Sequence, residues 1–205
     1  ENWYGSAALL AARGAFVLKP NYHGSSGYGL DWLESIKGRY YELEVPDLIA
    51  GVDALVAAGL ADASRLALVG WSNGAILGIA TAIEGAGRFL ALIAGAGEVN
   101  WTSDYGNCAF GAAFDDAYFG GPPWELPEVY LAKSPLFRLH RLTTPTLVAI
   151  GDEDVNVPTE QGSQLYRALQ QSGAAPVRFH AGTVFTRNCW VNNPPLNLAC
   201  TRPRL

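Results

Sequence analysis

Residues 65–80 read RLALVGWSNGAILGIA, and this stretch decides the fold. Its first five residues, Arg65 to Val69, form a short apolar run of the kind found in buried strands. Gly70-Trp71-Ser72-Asn73-Gly74 follows, and Ala75 to Ala80 then has the composition of a helix. A serine between two glycines at a strand-to-helix turn is the layout of a nucleophile elbow, which holds the hydroxyl exposed above a sheet. The stretch therefore predicts Ser72 as a nucleophile; a plain glycine-serine turn is the alternative.

The composition is that of one globular domain. The chain has 205 residues, 49% of them hydrophobic and 16% charged, which suits a substantial core and excludes a disordered chain. Its net charge of −5 comes without a basic cluster, so we expect no nucleic-acid partner. No apolar run is long enough to span a bilayer and no leader is visible, so we expect a cytoplasmic protein without a membrane partner.

Two further counts bear on the ends of the chain and on metals. The sequence contains no methionine, so we expect it to be a piece of a longer protein. Its three cysteines are Cys108, Cys189 and Cys200. They do not have the spacing of metal ligands, so we expect neither a metal site nor a cofactor.

Strand-like runs alternate with helical patterns along the chain. The strand-like runs lie at 15–19, 65–69, 89–94, 146–150 and 177–180, and the helical patterns at 5–12, 46–58, 75–80 and 159–171. This alternation predicts a mostly parallel sheet with helices on both faces. Residues 95–141 form an aromatic-rich excursion that either roofs a pocket or fills core. We therefore expect one partial domain over 1–183 and an irregular tail over 184–205.

A candidate acid follows the strand-like run at 146–150. Residues 151–158 read GDEDVNVP, which places carboxylates at the carboxyl edge of the sheet, where such sites form. A solvated acidic turn is one alternative. A calcium loop is the other, and it fails because Val157 stands where glycine is required and Ser163 where a bidentate glutamate is required.

A serine nucleophile also needs a histidine, and the chain has three. In an α/β-hydrolase sheet the partners follow in the order Ser, Asp or Glu, His. His23 and His140 precede Asp154, whereas His180 follows it but ends a strand-like run. His180 is therefore the candidate base by order, and a locally hydrogen-bonded strand residue is the alternative.

Several motifs together resemble the prolyl oligopeptidase family of serine peptidases. Residues 21–29, NYHGSSGYG, are similar to that family's N-Y-R-G-S-x-G-Y-G segment, and residues 70–74 to its nucleophile motif. Residues 134–136, SPL, match its S-P segment, and residues 145–158 contain its G-x-x-D-x-x-V-P acid motif. The match runs from about Glu1 to about His180.

The resemblance implies an α/β-hydrolase catalytic domain, incomplete at its N-terminal side, that cleaves short peptides by acyl transfer. It assigns Ser72 as the nucleophile, Asp154 as the triad acid and the Asn73 backbone N–H as one oxyanion donor. Trp71 and Tyr22 are candidate substrate-binding residues. The family's β-propeller is a candidate upstream domain of the parent protein.

The chain also departs from the family pattern. His23 replaces the family's arginine, Ala75 replaces a glycine, and the H-G-G-P-like segment that supplies a second oxyanion donor is absent. The loop after the last strand, where the family carries its catalytic histidine, reads AGTVFTR over 181–187. Three hypotheses follow: a serine peptidase, an esterase with the same triad, and an α/β-hydrolase domain without activity.

Overall fold

The computed structural model describes residues 2–182 and 197–201. Its helices are α1 Asn2–Ala12, α2 Leu30–Glu34, α3 Glu44–Ala57, α4 Asn73–Glu84, α5 Trp101–Asn107, α6 Gly111–Phe119, α7 Pro127–Lys133 and α8 Thr159–Ser172, with a 3₁₀ helix at Pro135–Arg141. Its strands are β1 Ala15–Leu18, β2 Leu66–Trp71, β3 Phe89–Gly95, β4 Thr146–Gly151, β5 Val177–Gly182 and β6 Asn197–Thr201.

The six strands form one sheet in the order β1-β6-β2-β3-β4-β5. Strands β2 to β5 are parallel, and β6 runs antiparallel to both of its neighbours, β1 and β2. The carboxyl ends of β2, β3, β4 and β5 therefore meet at one edge of the sheet. That edge carries the nucleophile elbow and the acidic segment.

Strand β6 departs from the expected irregular tail. Residues 197–201 pair with Ala15–Leu18 on one side and with Leu66–Val69 on the other. A five-residue strand is too short to show a clear alternation in the sequence, whereas pairing on both edges satisfies its backbone groups. The rest of the tail, 183–196 and 202–205, lies outside the described residues.

The two faces of the parallel sheet are covered unequally. Gly70, Ala94, Val148 and Phe179 form one row across β2 to β5. Helix α4 packs against Gly70 and helix α8 against Phe179, so both helices lie on this face. The opposite face includes Ile93 and Leu147, which are 39% and 36% exposed.

Helix α4 forms the centre of the core. It is buried from Gly74 to Ile83, as expected for a helix that is apolar all round. Helix α8 is instead amphipathic and buries Leu165 and Leu169. It ends at Gly173, whose φ of 62° lies in the left-handed region that favours glycine after a helix.

The aromatic-rich stretch 95–141 is helical rather than loose. It contains α5, α6, α7 and the 3₁₀ helix. Trp101, Phe119 and Tyr130 are buried in the main core, whereas Trp124 is 71% exposed. The large aromatics of this segment therefore mainly fill core, which is one of the two alternatives that the sequence left.

Candidate active site

Ser72 occupies a strained turn between β2 and α4. Its φ of 52° and ψ of −126° are rare for a residue other than glycine. The turn is held from both sides: the Ser72 N–H donates to Gly95 O at 2.8 Å, and Ser72 O accepts from the N–H groups of Ala75 and Ile76. The Ser72 hydroxyl makes no capping hydrogen bond to α4, so the turn does not depend on the side chain.

The first glycine of the motif is required by the close approach of helix and strand. A Cβ atom at Gly70 would lie 2.1 Å from the carbonyl oxygen of Gly74 and 2.6 Å from the nitrogen of Ala75. A Cβ atom at Gly95, on the next strand, would lie 2.2 Å from the indole ring of Trp71. The lack of a side chain at Gly70 lets the start of α4 pack directly on β2. The lack of a side chain at Gly95 lets the Trp71 ring pack directly on β3.

Two tyrosines hold the side chain of Asn73. The Tyr40 hydroxyl donates to Asn73 Oδ1, and Asn73 Nδ2 donates to the Tyr22 hydroxyl at 3.0 Å. Burial raises the pKa of Tyr22 to about 12, and burial also raises the pKa of Tyr40, so both phenols stay neutral. As the first residue of α4, Asn73 has a backbone N–H without an acceptor inside the helix. That N–H can stabilise negative charge beside Ser72.

Asp154 is buried in the loop after β4, and its two carboxylate oxygens differ. Oδ1 accepts hydrogen bonds from the backbone N–H groups of Asn156 and Val157, both at 2.9 Å. Oδ2 is buried and has no hydrogen-bond partner among the described residues. Burial raises the pKa of Asp154, although the two backbone hydrogen bonds oppose the shift. The carboxylate is thus oriented by one oxygen and has the other available for a further donor.

Three more carboxyl groups are buried near this loop: Glu98, Asp104 and Asp115. Burial is the main reason why the pKa of Asp104 rises to about 7 and that of Asp115 to about 8. Burial also raises the pKa of Glu98, with repulsion from Asp104 and Asp154 adding to it. Each of the three has a buried oxygen without a partner in the described part of the chain. The surroundings of Asp154 therefore disfavour negative charge.

His180 lies on β5, three strands away from the strand that carries the elbow. Trp71, Gly95, Ala149 and His180 form one row across the sheet, and since neighbouring strands are ~4.8 Å apart, His180 lies about 14 Å from Trp71 across β3 and β4. The His180 side chain is exposed and belongs to the face opposite α4. The structure thus brings Ser72 and Asp154 to the same edge of the sheet but does not join His180 to Asp154.

The other two histidines are placed elsewhere. His23 Nδ1 contacts Asp47 Oδ2 at 2.6 Å, and its ring stacks on Trp32 with centroids 3.7 Å apart. His140 is exposed on the 3₁₀ helix. His23, which replaces the family's arginine, therefore holds α3 to the loop after β1 rather than serving Ser72.

Trp71 and Tyr22 both contact the elbow from within the protein. Trp71 is partly buried and packs on a small cluster of Ala96, Ile150 and Val157, and Tyr22 bonds to Asn73 as described above. These contacts brace the elbow, and a contact of either residue with substrate stays a prediction.

The described part of the chain contains neither a candidate metal site nor a membrane-spanning helix. Residues 2–182 and 197–201 hold no group of three or more histidine, cysteine, aspartate or glutamate side chains arranged to bind a metal ion. In the same ranges, no helix is both long and apolar enough to cross a membrane.

Comparison with known proteins supports the motifs. The profile of the Prolyl oligopeptidase family matches residues 3–183. The chain belongs to this family. Membership confirms the resemblance drawn from the motifs, and the role of Ser72 as the nucleophile stays a prediction.

Acylamino-acid-releasing enzymes from two organisms align over most of the chain. It is 32% identical to the acylamino-acid-releasing enzyme of Arabidopsis thaliana over 81% of its own length and 23% of that enzyme. It is also 32% identical to the rat (Rattus norvegicus) enzyme, over 86% of its own length and 25% of that enzyme. The chain therefore spans about a quarter of the length of these relatives.

A solved structure of the family shows the same fold. The acylaminoacyl peptidase of Pyrococcus horikoshii superposes with a TM-score of 0.77 and 26% identity, over 85% of this chain and 28% of that one. This likeness confirms the α/β-hydrolase fold expected from the sequence.

The sequence motifs did not indicate Tyr40 or Glu98 as residues of the site. Tyr40 is 33 positions from Asn73, and no motif links the two. Glu98 could have been found, because it lies just beyond the end of β3 as Asp154 lies beyond the end of β4. The rule that selected Asp154 therefore selects Glu98 as well.

Proposed function

We propose that this domain is the catalytic unit of a serine peptidase that cleaves short peptides by acyl transfer. The observation that carries the proposal is Ser72, which is held at a φ of 52° while its hydroxyl caps no helix. Strain of this kind persists only where the surroundings enforce it, and it concentrates at active sites. Membership of the family supports the same function.

In the proposed reaction a histidine removes the proton of Ser72 Oγ as Oγ bonds to the carbonyl carbon of the substrate. The carbonyl oxygen becomes an oxyanion, which accepts a hydrogen bond from the Asn73 N–H. The C–N bond then breaks and the histidine gives its proton to the leaving amine. Water releases the acyl group by the same proton path. Asp154 Oδ2 accepts from the second ring nitrogen and so orients the histidine.

His180 is the proposed base. His23 is engaged by Asp47, and His140 precedes Asp154 in the chain. His180 has to leave its row in β5 to donate to Asp154 Oδ2. A second candidate function therefore has its own support. Asp154 Oδ2 has no hydrogen-bond partner among the residues that the structure describes, which favours an α/β-hydrolase domain without an assembled base.

We propose N-acylated short peptides as the substrate class, on the strength of relatives named acylamino-acid-releasing enzymes. An esterase is the alternative, because the same elbow serves both chemistries. Turnover of acetyl-alanine p-nitroanilide and of p-nitrophenyl butyrate separates the two. A peptidase cleaves the anilide, whereas cleavage of the ester alone identifies an esterase.

The experiment that tests the mechanism is labelling with a fluorophosphonate, which reacts with an activated serine. We expect the wild-type chain to be labelled and Ser72→Ala to give no label. His180→Ala should slow labelling by at least ~100-fold, in keeping with the loss of a general base.

The matched control is His140→Ala, which removes another exposed histidine and should leave the rate unchanged. A folded wild-type chain that takes no label would support the domain without an assembled base. Equal rates for wild type and His180→Ala would remove His180 from the mechanism and leave Ser72 in it.

A further inference from the structure

A cavity of about 430 Å³ lies at the far end of α4 from the elbow. Ala80 and Glu84 line it from α4, about 10 to 17 Å along the helix from Asn73. Its volume is within the range of pockets that bind small molecules. The cavity is therefore centred away from Ser72, and Tyr40 is a lining residue that also bonds to Asn73.

The cavity wall combines an apolar side with a polar side that carries two cations and two carboxylates. Val45, Pro46 and Ile49 of α3 line it on the apolar side. Lys133 of α7 and Arg138 of the 3₁₀ helix line it on the polar side. This distribution suits a ligand that has an apolar body and one anionic group.

Lys133 is held firmly in place. Its Nζ donates to Tyr40 O and to Glu42 Oε1, both at 2.9 Å, and its side chain is only 16% exposed. Two partners already orient the ammonium group. The Lys133 side chain would therefore lose little further conformational freedom when a ligand binds to it.

Arg138 has donor capacity that the described residues do not use. Nη1 donates to Glu84 Oε1 at 3.0 Å. Nε is buried without an acceptor among the residues that the structure describes. The Arg138 side chain as a whole is 32% exposed, so N–H groups at the outer end of the guanidinium are accessible, although Nε is not. A carboxylate in the cavity can accept from these outer N–H groups, because the planar guanidinium fork matches carboxylate geometry.

The two carboxylates that line the cavity are each paired with two cations. Glu42 is shared by Lys133 and Arg39, and Glu84 by Arg138 and Arg141. A third carboxyl, Glu44, is buried nearby, and burial raises its pKa. The cavity itself is lined by Lys133, Arg138, Glu42 and Glu84, while Arg39 and Arg141 pair with the same two carboxylates from outside the lining.

We propose that this cavity binds a small organic carboxylate with an apolar body, its carboxylate on Arg138 and Lys133. The apolar body lies against α3. Binding does not require the proposed peptidase activity, so the site stands or fails independently of the reaction at Ser72.

The test is calorimetric titration of the whole chain with 4-phenylbutyrate and with its uncharged amide. We expect the carboxylate to bind at least about tenfold more tightly than the amide, because a charge-assisted hydrogen bond has about that effect on affinity. Arg138→Gln should weaken binding by about tenfold or more. Arg141→Gln is the matched control: it lies on the same helix and near the same Glu84, and it should bind within twofold of wild type.

A second variant keeps every charge. Ala132 lines the cavity from α7 and is exposed, so Ala132→Phe should fill the space and abolish binding without disturbing the core. No binding of 4-phenylbutyrate to the wild type would overturn the proposal. Equal affinities for acid and amide, equal effects of the two arginine variants, or full binding by Ala132→Phe would each overturn it too.

Discussion

The Ser72 elbow and the Asp154 loop lie at the same edge of the sheet, yet their polar groups are satisfied to different degrees. At the elbow the backbone of Ser72 bonds on both sides and the Asn73 side chain bonds at both ends. At the loop, Asp154 uses one oxygen and leaves the other buried without a partner in the described part of the chain.

The difference comes from how far along the chain the partners lie. The backbone contacts of Ser72 go to residues three and four positions ahead and to the neighbouring strand, so a short motif specifies most of them. Asp154 likewise accepts hydrogen bonds at Oδ1 from nearby backbone N–H groups, those of Asn156 and Val157. Its second oxygen needs a donor from another segment, and local sequence cannot supply it. Within the described residues, polar groups are therefore paired where their partners lie nearby in the sequence, whereas Asp154 Oδ2, which needs a donor from a distant segment, is not.

The largest expected effect is at Gly70. An alanine there would place Cβ 2.1 Å from the backbone oxygen of Gly74, and neither α4 nor β2 can move away within a close-packed core. We expect Gly70→Ala to lower the free energy of unfolding by more than ~3 kcal/mol, as measured by urea denaturation, and to abolish fluorophosphonate labelling.

Gly106→Ala is the matched control for that variant. Gly106 lies in α5, and a Cβ atom there would meet no heavy atom within 4 Å. Alanine suits a helix better than glycine, so stability should stay equal or rise by up to about 1 kcal/mol. An equal loss in the two variants would show that the elbow does not depend on close backbone contact.

The next effect concerns the buried acids near Asp154. The pKa values of Asp104 and Asp115, about 7 and about 8 in the folded protein, exceed the ordinary value of about 4 in the unfolded chain. The folded state therefore binds more protons, and stability falls as the pH rises from about 4 to 8. Urea denaturation at pH 5 and pH 8.5 should show lower stability at the higher pH.

Asp115→Asn should reduce the fall in stability that wild type shows at high pH. At pH 8.5 we expect it to be more stable than wild type by about 2 kcal/mol, because asparagine has no charge to bury. At pH 5 the two proteins should differ by less than ~1 kcal/mol. Asp31→Asn, which changes an exposed aspartate of α2, is the control and should follow wild type at both pH values. Equal stability of wild type and Asp115→Asn at pH 8.5 would contradict the assigned shift.

The contrast between local and distant determinants also describes what the sequence could predict. Strands β2 to β5, helix α4 and the turn at Gly173 follow from apolar runs and glycine positions, and all appear in the structure. Strand β6 could not be predicted, because its place between β1 and β2 depends on partners far along the chain. The bond from Tyr40 to Asn73 was equally invisible, for the same reason. Ser72 and Asp154 could be proposed from their motifs, whereas the position of His180 needed the register of β5.

The smallest effect tests whether the elbow is strained, and it uses two substitutions at Ser72. Glycine accepts a φ of 52° without cost, whereas alanine keeps the Cβ atom that makes this conformation unfavourable. Ser72→Gly should therefore be more stable than Ser72→Ala by about 1 kcal/mol, as measured by urea denaturation.

Ser163 gives the opposite order and serves as the control. It is exposed in the interior of α8, where helix propensity favours alanine over glycine by about 1 kcal/mol. Opposite signs at the two serines would show that the elbow backbone is held in a conformation that only its surroundings impose. The same sign at both would mean that Ser72 is unstrained in solution, and the elbow would lose the property on which its assignment as a nucleophile site rests.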